Sequence, residues 1–165
     1  MQLNVFRTLW GVTTPWQQTV SELRSVGCCG IEARVPLTPE EQRTLAQRIE
    51  ASALEYIAIV FSGGGVIPAQ AETPAQHLER LKERFAAAKA LNPRFVNLLA
   101  GNDRWPLAQQ VDFLGRAHEL AAEYELFCSF ETHRATSLYS PWLTLEIIQQ
   151  LPQLRFTADI SHWIV

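Results

Sequence analysis

Residues 126–134 read Leu-Phe-Cys-Ser-Phe-Glu-Thr-His-Arg, an apolar run that ends at Glu131 and His133. A run of this kind is typical of a buried parallel strand whose carboxyl end opens into a polar site. The pattern returns about one βα unit later, where a second short run ends at Asp159 and is followed by His162. Because all strand carboxyl ends of a βα-wound sheet lie on the same rim, the two endings predict one shared pocket there.

The composition indicates an ordinary globular domain. The chain has 165 residues, of which 47% are hydrophobic and 19% charged, so we interpret residues 1–165 as a single domain with a real core. The net charge of -3 gives no broad attraction to nucleic acid or to an anionic membrane, and we expect neither as a partner. Three cysteines without CxxC spacing, no signal peptide and no long apolar span favour a cytoplasmic protein.

Strand and helix patterns alternate along the whole chain. The apolar segment Leu54–Phe61 is the clearest strand, and Thr38-Pro39 is the clearest helix start, with Thr38 as the N-cap and Glu41 in the capping-box position. Six strands and five helices in strict alternation predict a parallel sheet with helical crossovers. The predicted strands are 3–10, 28–35, 54–61, 94–100, 126–134 and 154–159.

Two α/β architectures fit this alternation. A Rossmann-type sheet should have a glycine-rich first strand-to-helix turn, whereas residues 10–15 read Trp-Gly-Val-Thr-Thr-Pro. A (β/α)₈ TIM barrel fits better. Because such barrels run to about 250 residues, we expect an incomplete barrel whose chain stops after its sixth strand.

The loop that begins with Ser62-Gly-Gly-Gly65 is longer than the usual βα connection. Its length makes it a candidate lid or substrate loop. There is no Gly-x-Gly-x-x-Gly and no Walker lysine, so a flexible loop is favoured over a phosphate-binding one.

The two acids at the strand ends are candidate metal ligands. Glu131 and Asp159 supply hard oxygen atoms suited to Mg²⁺ or Mn²⁺, and a nearby histidine extends the choice to Co²⁺ or Zn²⁺. The alternative is that each carboxylate caps the following loop or pairs with Arg134.

Other rim residues are candidates for substrate contacts. His162 suits a rim position that reaches the substrate, and His133 does so as well, unless it bonds a neighbouring backbone group. Trp10 lies at a strand end, where aromatic side chains wall sugar sites, although packing is the commoner role. Glu32 and Asn97 occupy analogous positions and are weaker candidates for hydroxyl contacts.

These segments resemble the xylose-isomerase-like TIM barrels. That superfamily contains sugar (phosphate) isomerases and epimerases and the endonuclease IV type of repair enzyme. The resemblance covers the whole chain and rests on Cys29–Glu32, Asn97–Gly101 with Asp103, Phe130–His133 and Asp159–His162.

The resemblance implies a divalent metal held by four residues. Glu131 and Asp159 match the first two ligands, and His162 matches the position that contacts substrate oxygen. Glu131 would also move a proton at the carbon next to a carbonyl, with the metal stabilising the enediolate. The other two ligands, a histidine and an acid, belong to strands seven and eight, which we do not expect in this sequence.

The leading hypothesis is therefore a divalent-metal-dependent isomerase or epimerase of a small sugar, sugar phosphate or polyol, present as the amino-terminal portion of the barrel. A catalytically inactive barrel fragment or an oligomerising sugar-binding module is the alternative, and a homo-oligomer stays open. A sugar dehydratase also remains open. A metal-dependent phosphodiesterase is disfavoured, because Ser62-Gly-Gly64 and Ala100-Gly-Asn102 offer no histidine where its zinc cluster requires one.

Overall fold

A computed structural model describes residues 3–164 of the chain, and within them six strands alternate with six helices. The strands are β1 (Phe6–Thr8), β2 (Gly30–Arg34), β3 (Glu55–Phe61), β4 (Phe95–Leu99), β5 (Cys128–Glu131) and β6 (Phe156–Thr157). The helices are α1 (Trp16–Ser25), α2 (Pro39–Ser52), α3 (Pro74–Ala90), α4 (Leu107–Glu123), α5 (Pro141–Gln150) and α6 (Ser161–Ile164).

The six strands form one parallel sheet, and their order in space is their order in the chain, β1-β2-β3-β4-β5-β6. A doubly wound sheet would reverse direction at a switch point, whereas sequential neighbours are the arrangement of a (β/α)₈ barrel. The predicted barrel architecture is thus confirmed for six βα units.

The prediction of five helices was wrong by one short element. The sixth helix, α6, is a single turn of four residues directly after Asp159. Asp159 Oδ1 accepts a hydrogen bond from Ser161 N–H at 3.0 Å, which stabilises this turn. A segment this short shows no amphipathic period in the sequence, so no pattern could indicate it.

The core lies between the sheet and the helices. Ile31, Val96 and Phe130 from three strands are fully buried and belong to one cluster with Leu81 and Phe85 of α3. Because side chains alternate across a strand, the neighbouring residues in sequence lie on the opposite face of the sheet, the face that lines a barrel interior. Those neighbours are Glu32, Asn97 and Glu131.

The predicted N-terminus of α2 is confirmed. The Thr38 hydroxyl accepts a hydrogen bond from Glu41 N–H at 3.3 Å, and Pro39 is the first helical residue.

None of the helices within residues 3–164 is long and apolar enough to cross a bilayer.

A buried histidine anchors the loop between β3 and α3. Ser62 Oγ accepts a hydrogen bond from Gly101 N–H at 2.8 Å and lies 2.9 Å from His77 Nδ1. On its other side, His77 Nε2 lies 2.9 Å from Glu72 Oε2, whose carboxylate accepts from Gly64 N–H. Burial lowers the pKa of His77 to about 4, so the imidazole is neutral at physiological pH. The loop is therefore fixed at both ends by one polar network.

Two glycines give a matched test of the packing. An added Cβ at Gly30 would lie 2.5 Å from Phe6 Cε1 and would also overlap the Glu55 carbonyl oxygen, whereas one at Gly115 in α4 meets only Leu151 Cδ2 at 3.7 Å. We expect Gly30→Ala to lower the free energy of unfolding by about 1–3 kcal/mol, because β1 and β3 must move apart. Gly115→Ala should raise it by about 0.5–1 kcal/mol, because alanine is the better helix former. Urea unfolding followed by circular dichroism measures both values, and an unchanged midpoint for Gly30→Ala would contradict this packing.

Candidate active site

A cavity of about 570 Å³ opens at the carboxyl ends of the strands, and we call it the rim cavity. Six of the seven predicted site residues line it, and Asn97 is the exception. The lining residues are Thr8, Trp10, Glu32, Ile59, Phe61, Val66, Ile67, Leu99, Glu131, His133, Arg134, Asp159 and His162.

Asn97 links two carboxylates at the base of the rim cavity. Its side-chain Nδ2 donates to Glu131 Oε2 at 2.6 Å and to Glu32 Oε1 at 3.0 Å. The Asn97 side chain is buried, and both amide protons are used in these two bonds. The geometry thus gives Asn97 the role of positioning Glu32 and Glu131, and its predicted contact with a substrate hydroxyl stays a prediction.

The environment of Glu131 favours its protonated form. Burial raises the pKa of the Glu131 carboxyl to about 7, and the neighbouring charges of Glu32 and Asp159 act in the same direction. The hydrogen bond from Asn97 opposes this shift. Glu131 is thus present as both acid and carboxylate near neutral pH, which is the property of a proton-transfer group.

His133 presents a lone pair to the rim cavity. Its Nδ1 lies 2.7 Å from the Arg134 carbonyl oxygen, which can only accept a hydrogen bond. Nδ1 therefore carries the proton, and Nε2 is left with a free lone pair. Burial lowers the pKa of His133, so this neutral form persists at physiological pH. A neutral imidazole whose other nitrogen donates to a carbonyl is the usual form of a metal-binding histidine.

His162 is held in the opposite tautomer. Arg134 Nε, which can only donate, lies 3.0 Å from His162 Nδ1, so in the neutral imidazole the proton is on Nε2. His162 Nε2 lies 3.5 Å from Asp159 Oδ2, and the two histidine rings are 3.8 Å apart between centroids. In this arrangement His162 offers a hydrogen-bond donor to the cavity.

Asp159 has one oxygen engaged and one available. Its Oδ1 accepts from Ser161 N–H at 3.0 Å and from the Ser161 hydroxyl at 2.5 Å. These bonds lower the pKa of the Asp159 carboxyl, which stays ionised. The remaining oxygen, Oδ2, lies toward His162.

Three side chains come close enough to share a metal ion. Ligand atoms of Glu131, His133 and His162 all lie within 4.8 Å of one another. The predicted pair was Glu131 and Asp159, and Asp159 does not belong to this group of three. The donor set of one carboxylate and neutral imidazole suits Mn²⁺, Co²⁺ or Zn²⁺. Both predicted assignments, Asp159 as a ligand and His133 as a substrate contact, stay predictions.

Some lining residues were not predicted to lie in the site. Arg134 was considered only as a partner of the carboxylates, yet it fixes both histidines through its carbonyl and its Nε. Val66 and Ile67 were not singled out, but they lie in the β3–α3 loop, whose length had made it a candidate lid or substrate loop.

Solved structures share this fold at low identity. The D-allulose 3-epimerase of Methylomonas sp., in complex with D-allulose, has 15% identity and a TM-score of 0.72 over 98% of this chain and 64% of that chain. The probable 3-DHS dehydratase AsbF of Bacillus anthracis has 15% identity and a TM-score of 0.69 over 98% and 65%. The IOLI protein, solved with a binding zinc atom, has 12% identity and a TM-score of 0.67 over 91% and 59%. The chain thus spans roughly three fifths to two thirds of the length of these structures.

A search of curated protein sequences gave no match. The family model described as the xylose isomerase-like TIM barrel matches residues 20–165. Since this match includes most of the chain and the strand order is that of the barrel, the chain belongs to the xylose isomerase-like TIM barrel family.

Proposed function

We propose that the rim cavity binds a small sugar or polyol and supports its isomerisation or epimerisation by proton transfer at the carbon next to a carbonyl, with a divalent metal ion as cofactor. The observation that carries this proposal is Glu131, whose pKa near 7 places a proton-transfer group beside two histidines in one cavity. Solved neighbours that act on sugars, such as the D-allulose 3-epimerase, support it.

Glu131 is proposed to take the proton from the substrate carbon. Returned to the neighbouring carbon of the enediolate, this proton gives the isomer, whereas an epimer requires a proton from a second group on the opposite face of the enediolate. A carboxyl whose pKa is near the working pH serves as base and then as acid without a large cost in either direction. The bond from Asn97 Nδ2 at 2.6 Å fixes one oxygen, Oε2, so that Oε1 is the oxygen free to receive the proton. Asn97 thereby orients the base and limits the rise in its pKa.

Glu131 and His133 are proposed to hold the metal ion, with Asp159 Oδ2 and the protein's other groups or water completing its shell. A divalent ion bound there would polarise the substrate carbonyl and so acidify the adjacent C–H bond. His162, which carries its proton on Nε2, donates to a substrate oxygen in this proposal. Arg134 keeps both imidazoles in these two different tautomers.

The apolar lining suits the carbon face of a sugar. Besides its polar groups, the rim cavity is lined by apolar side chains, those of Trp10, Phe61, Ile67 and Leu99. Aromatic and aliphatic walls with a few placed polar groups are typical of small-molecule sites.

Metal binding tests the ligand assignment. We expect the 165-residue chain to bind Mn²⁺ with an affinity that falls at least about tenfold in both Glu131→Gln and His133→Gln, since each removes a ligand atom or leaves a partner unpaired. His162→Gln should change it less than His133→Gln, because the tautomer of His162 presents a donor. Isothermal titration calorimetry measures the affinities, with the exposed Glu123→Gln and the α4 variant His118→Gln as matched controls. Equal binding by wild type and the Glu131 and His133 variants would place any metal elsewhere.

Proton exchange tests the reaction. In D₂O with Mn²⁺, wild-type protein should replace hydrogen by deuterium at the carbon next to the carbonyl of a ketose, and Glu131→Gln should abolish this exchange. Proton NMR of a panel of ketoses that includes D-allulose follows the signal loss. Asn97→Ala should slow exchange by at least about tenfold, because an unoriented base loses the advantage of position. Exchange that survives in Glu131→Gln would remove this residue from the proposed role.

The raised pKa of Glu131 predicts a stability cost that depends on pH. The folded state binds the proton more tightly, with a pKa of about 7 against the ordinary 4.5, so folding stability is lost as pH rises between these two values. In metal-free buffer, Glu131→Gln should therefore be more stable than wild type at pH 8 by about 2 kcal/mol, since each pKa unit is worth about 1.4 kcal/mol and partial exposure reduces the total. The difference should vanish near pH 4. Urea unfolding at the two pH values measures it, and a variant that is less stable than wild type at pH 8 would contradict the burial argument.

A further inference from the structure

A second cavity, of about 240 Å³, lies beside the rim cavity, and we call it the arginine cavity. The two cavities share Ile59 and Phe61 in their walls. The arginine cavity contains two guanidinium groups and no carboxylate. Its lining residues are Arg34, Val35, Leu37, Ile59, Val60, Phe61, Gly64, Gly65 and Arg84.

Arg34 stands between the two cavities. It is the last residue of β2, and its guanidinium lies 4.2 Å from the centroid of the Trp10 ring and 4.9 Å from that of the Phe61 ring. Both rings also border the rim cavity. Within residues 3–164, no carboxylate comes within 4.0 Å of the Arg34 guanidinium, so its N–H donors remain available.

Arg84 supplies a second cation that is half-buried. Its Nη1 donates to the carbonyl oxygens of Phe61 and Gly63, the latter at 2.6 Å. Burial lowers the pKa of Arg84, and among the residues that the structure describes it has no ion-pair partner. Carbonyl groups accept its protons but do not neutralise its charge.

Glu72, the acid in the loop beside the arginine cavity, already has an ion-pair partner. The Glu72 carboxylate accepts from Gly64 N–H, is paired with Arg80 Nη1 at 3.0 Å and lies 2.9 Å from His77 Nε2. Glu72 therefore balances Arg80 and anchors the loop. Glu72 and Glu83 act on Arg84 through their charge, but neither forms an ion pair with it within residues 3–164, and none of the residues that line the arginine cavity is acidic.

We propose that the arginine cavity binds an anionic oxygen group of the substrate, a phosphate ester or a carboxylate, while the carbon chain lies in the rim cavity against Glu131. A planar guanidinium offers paired N–H donors that match such oxyanions, and stacking on Trp10 and Phe61 holds that of Arg34 in a fixed plane. The inference rests on the proposed function for the orientation of the substrate. Binding of the anion itself requires neither metal nor turnover.

Inorganic phosphate is the first probe. Titrated in metal-free buffer, it should shift the amide NMR signals of Gly64 and Gly65 and the Nε–Hε signals of Arg34 and Arg84. Arg34→Gln should weaken this binding at least about tenfold, since a hydrogen bond between charged groups is lost. Arg116→Gln on α4, which removes an exposed arginine paired only with Asp112 at 3.8 Å, is the control for net charge and should leave the affinity unchanged.

Further variants separate a binding role from a structural one. The backbone of Arg34 pairs with β3, but its side chain donates no hydrogen bond within residues 3–164, so Arg34→Gln should keep the wild-type circular dichroism and melting temperature. Arg34→Lys keeps the charge and should recover part of the lost affinity. For Arg84, the charge-retaining Arg84→Lys is compared with Arg84→Gln, because loss of the bonds to Phe61 and Gly63 could loosen the loop. Acetate and phosphate, followed by an aldonate and a ketose phosphate with neutral ketose as reference, distinguish a carboxylate from a phosphate ester.

The two proposals fail in different ways. Phosphate shifts that persist at full affinity in Arg34→Gln, or that lie away from residues 64–65, would overturn the anion site even if Mn²⁺ binds at Glu131. A Mn²⁺ affinity that is unchanged in the Glu131 and His133 variants would overturn the proposed function and leave the phosphate titration unaffected. A neutral ketose that binds as tightly as its phosphate and its acid would show that the arginine cavity takes no part in substrate binding.

Discussion

The site depends on one side-chain amide. Asn97 Nδ2 uses its two protons to hold Glu131 at 2.6 Å and Glu32 at 3.0 Å, and so keeps two carboxylates together on the interior face of the sheet. Without these bonds the two acids would repel one another in a partly buried place. Asn97 lies on β4, which adjoins the strand of Glu131 and is separated by β3 from the strand of Glu32, and the parallel register keeps its side chain within reach of both acids. The Asn97 Oδ1 atom is buried without a hydrogen-bond partner among residues 3–164. Its desolvation costs folding free energy, which the packing of the sheet must offset.

This arrangement trades stability for chemistry. Burying Glu131 beside Glu32 raises its pKa to about 7 and penalises the ionised form on folding, while the same shift makes the group suitable for proton transfer near neutral pH. Around it, Arg134 sets the tautomers of His133 and His162 in opposite senses, so one imidazole presents a lone pair and the other a proton. A single backbone carbonyl and a single guanidinium thus assign different tasks to two residues of the same type.

Much of the architecture could be predicted from the sequence because it follows from local patterns. The alternation of apolar runs and helix starts, and the cap at Thr38, predicted the parallel order, and the polar ends of β5 and β6 predicted the shared cavity. Three features could not be predicted, because each depends on distances between strands. They are the tautomers of His133 and His162, the role of Asn97 beneath the cavity and the absence of an ion pair at Arg34. The predicted sixth strand, 154–159, was longer than β6, which is only Phe156–Thr157. Backbone hydrogen bonds to β5 define the strand, and they cover less of the chain than the apolar run does.

Glu131 and His133 are proposed to form the core of a divalent-metal centre at the carboxyl ends of the strands. Crystals of the chain soaked in Mn²⁺ and measured near the manganese absorption edge test it most directly, because anomalous scattering locates the ion independently of the protein atoms. We expect a peak within roughly 2.0–2.4 Å of a Glu131 carboxylate oxygen and of His133 Nε2. A peak bound to other residues, or no peak at this rim at a concentration that saturates binding in solution, would contradict it.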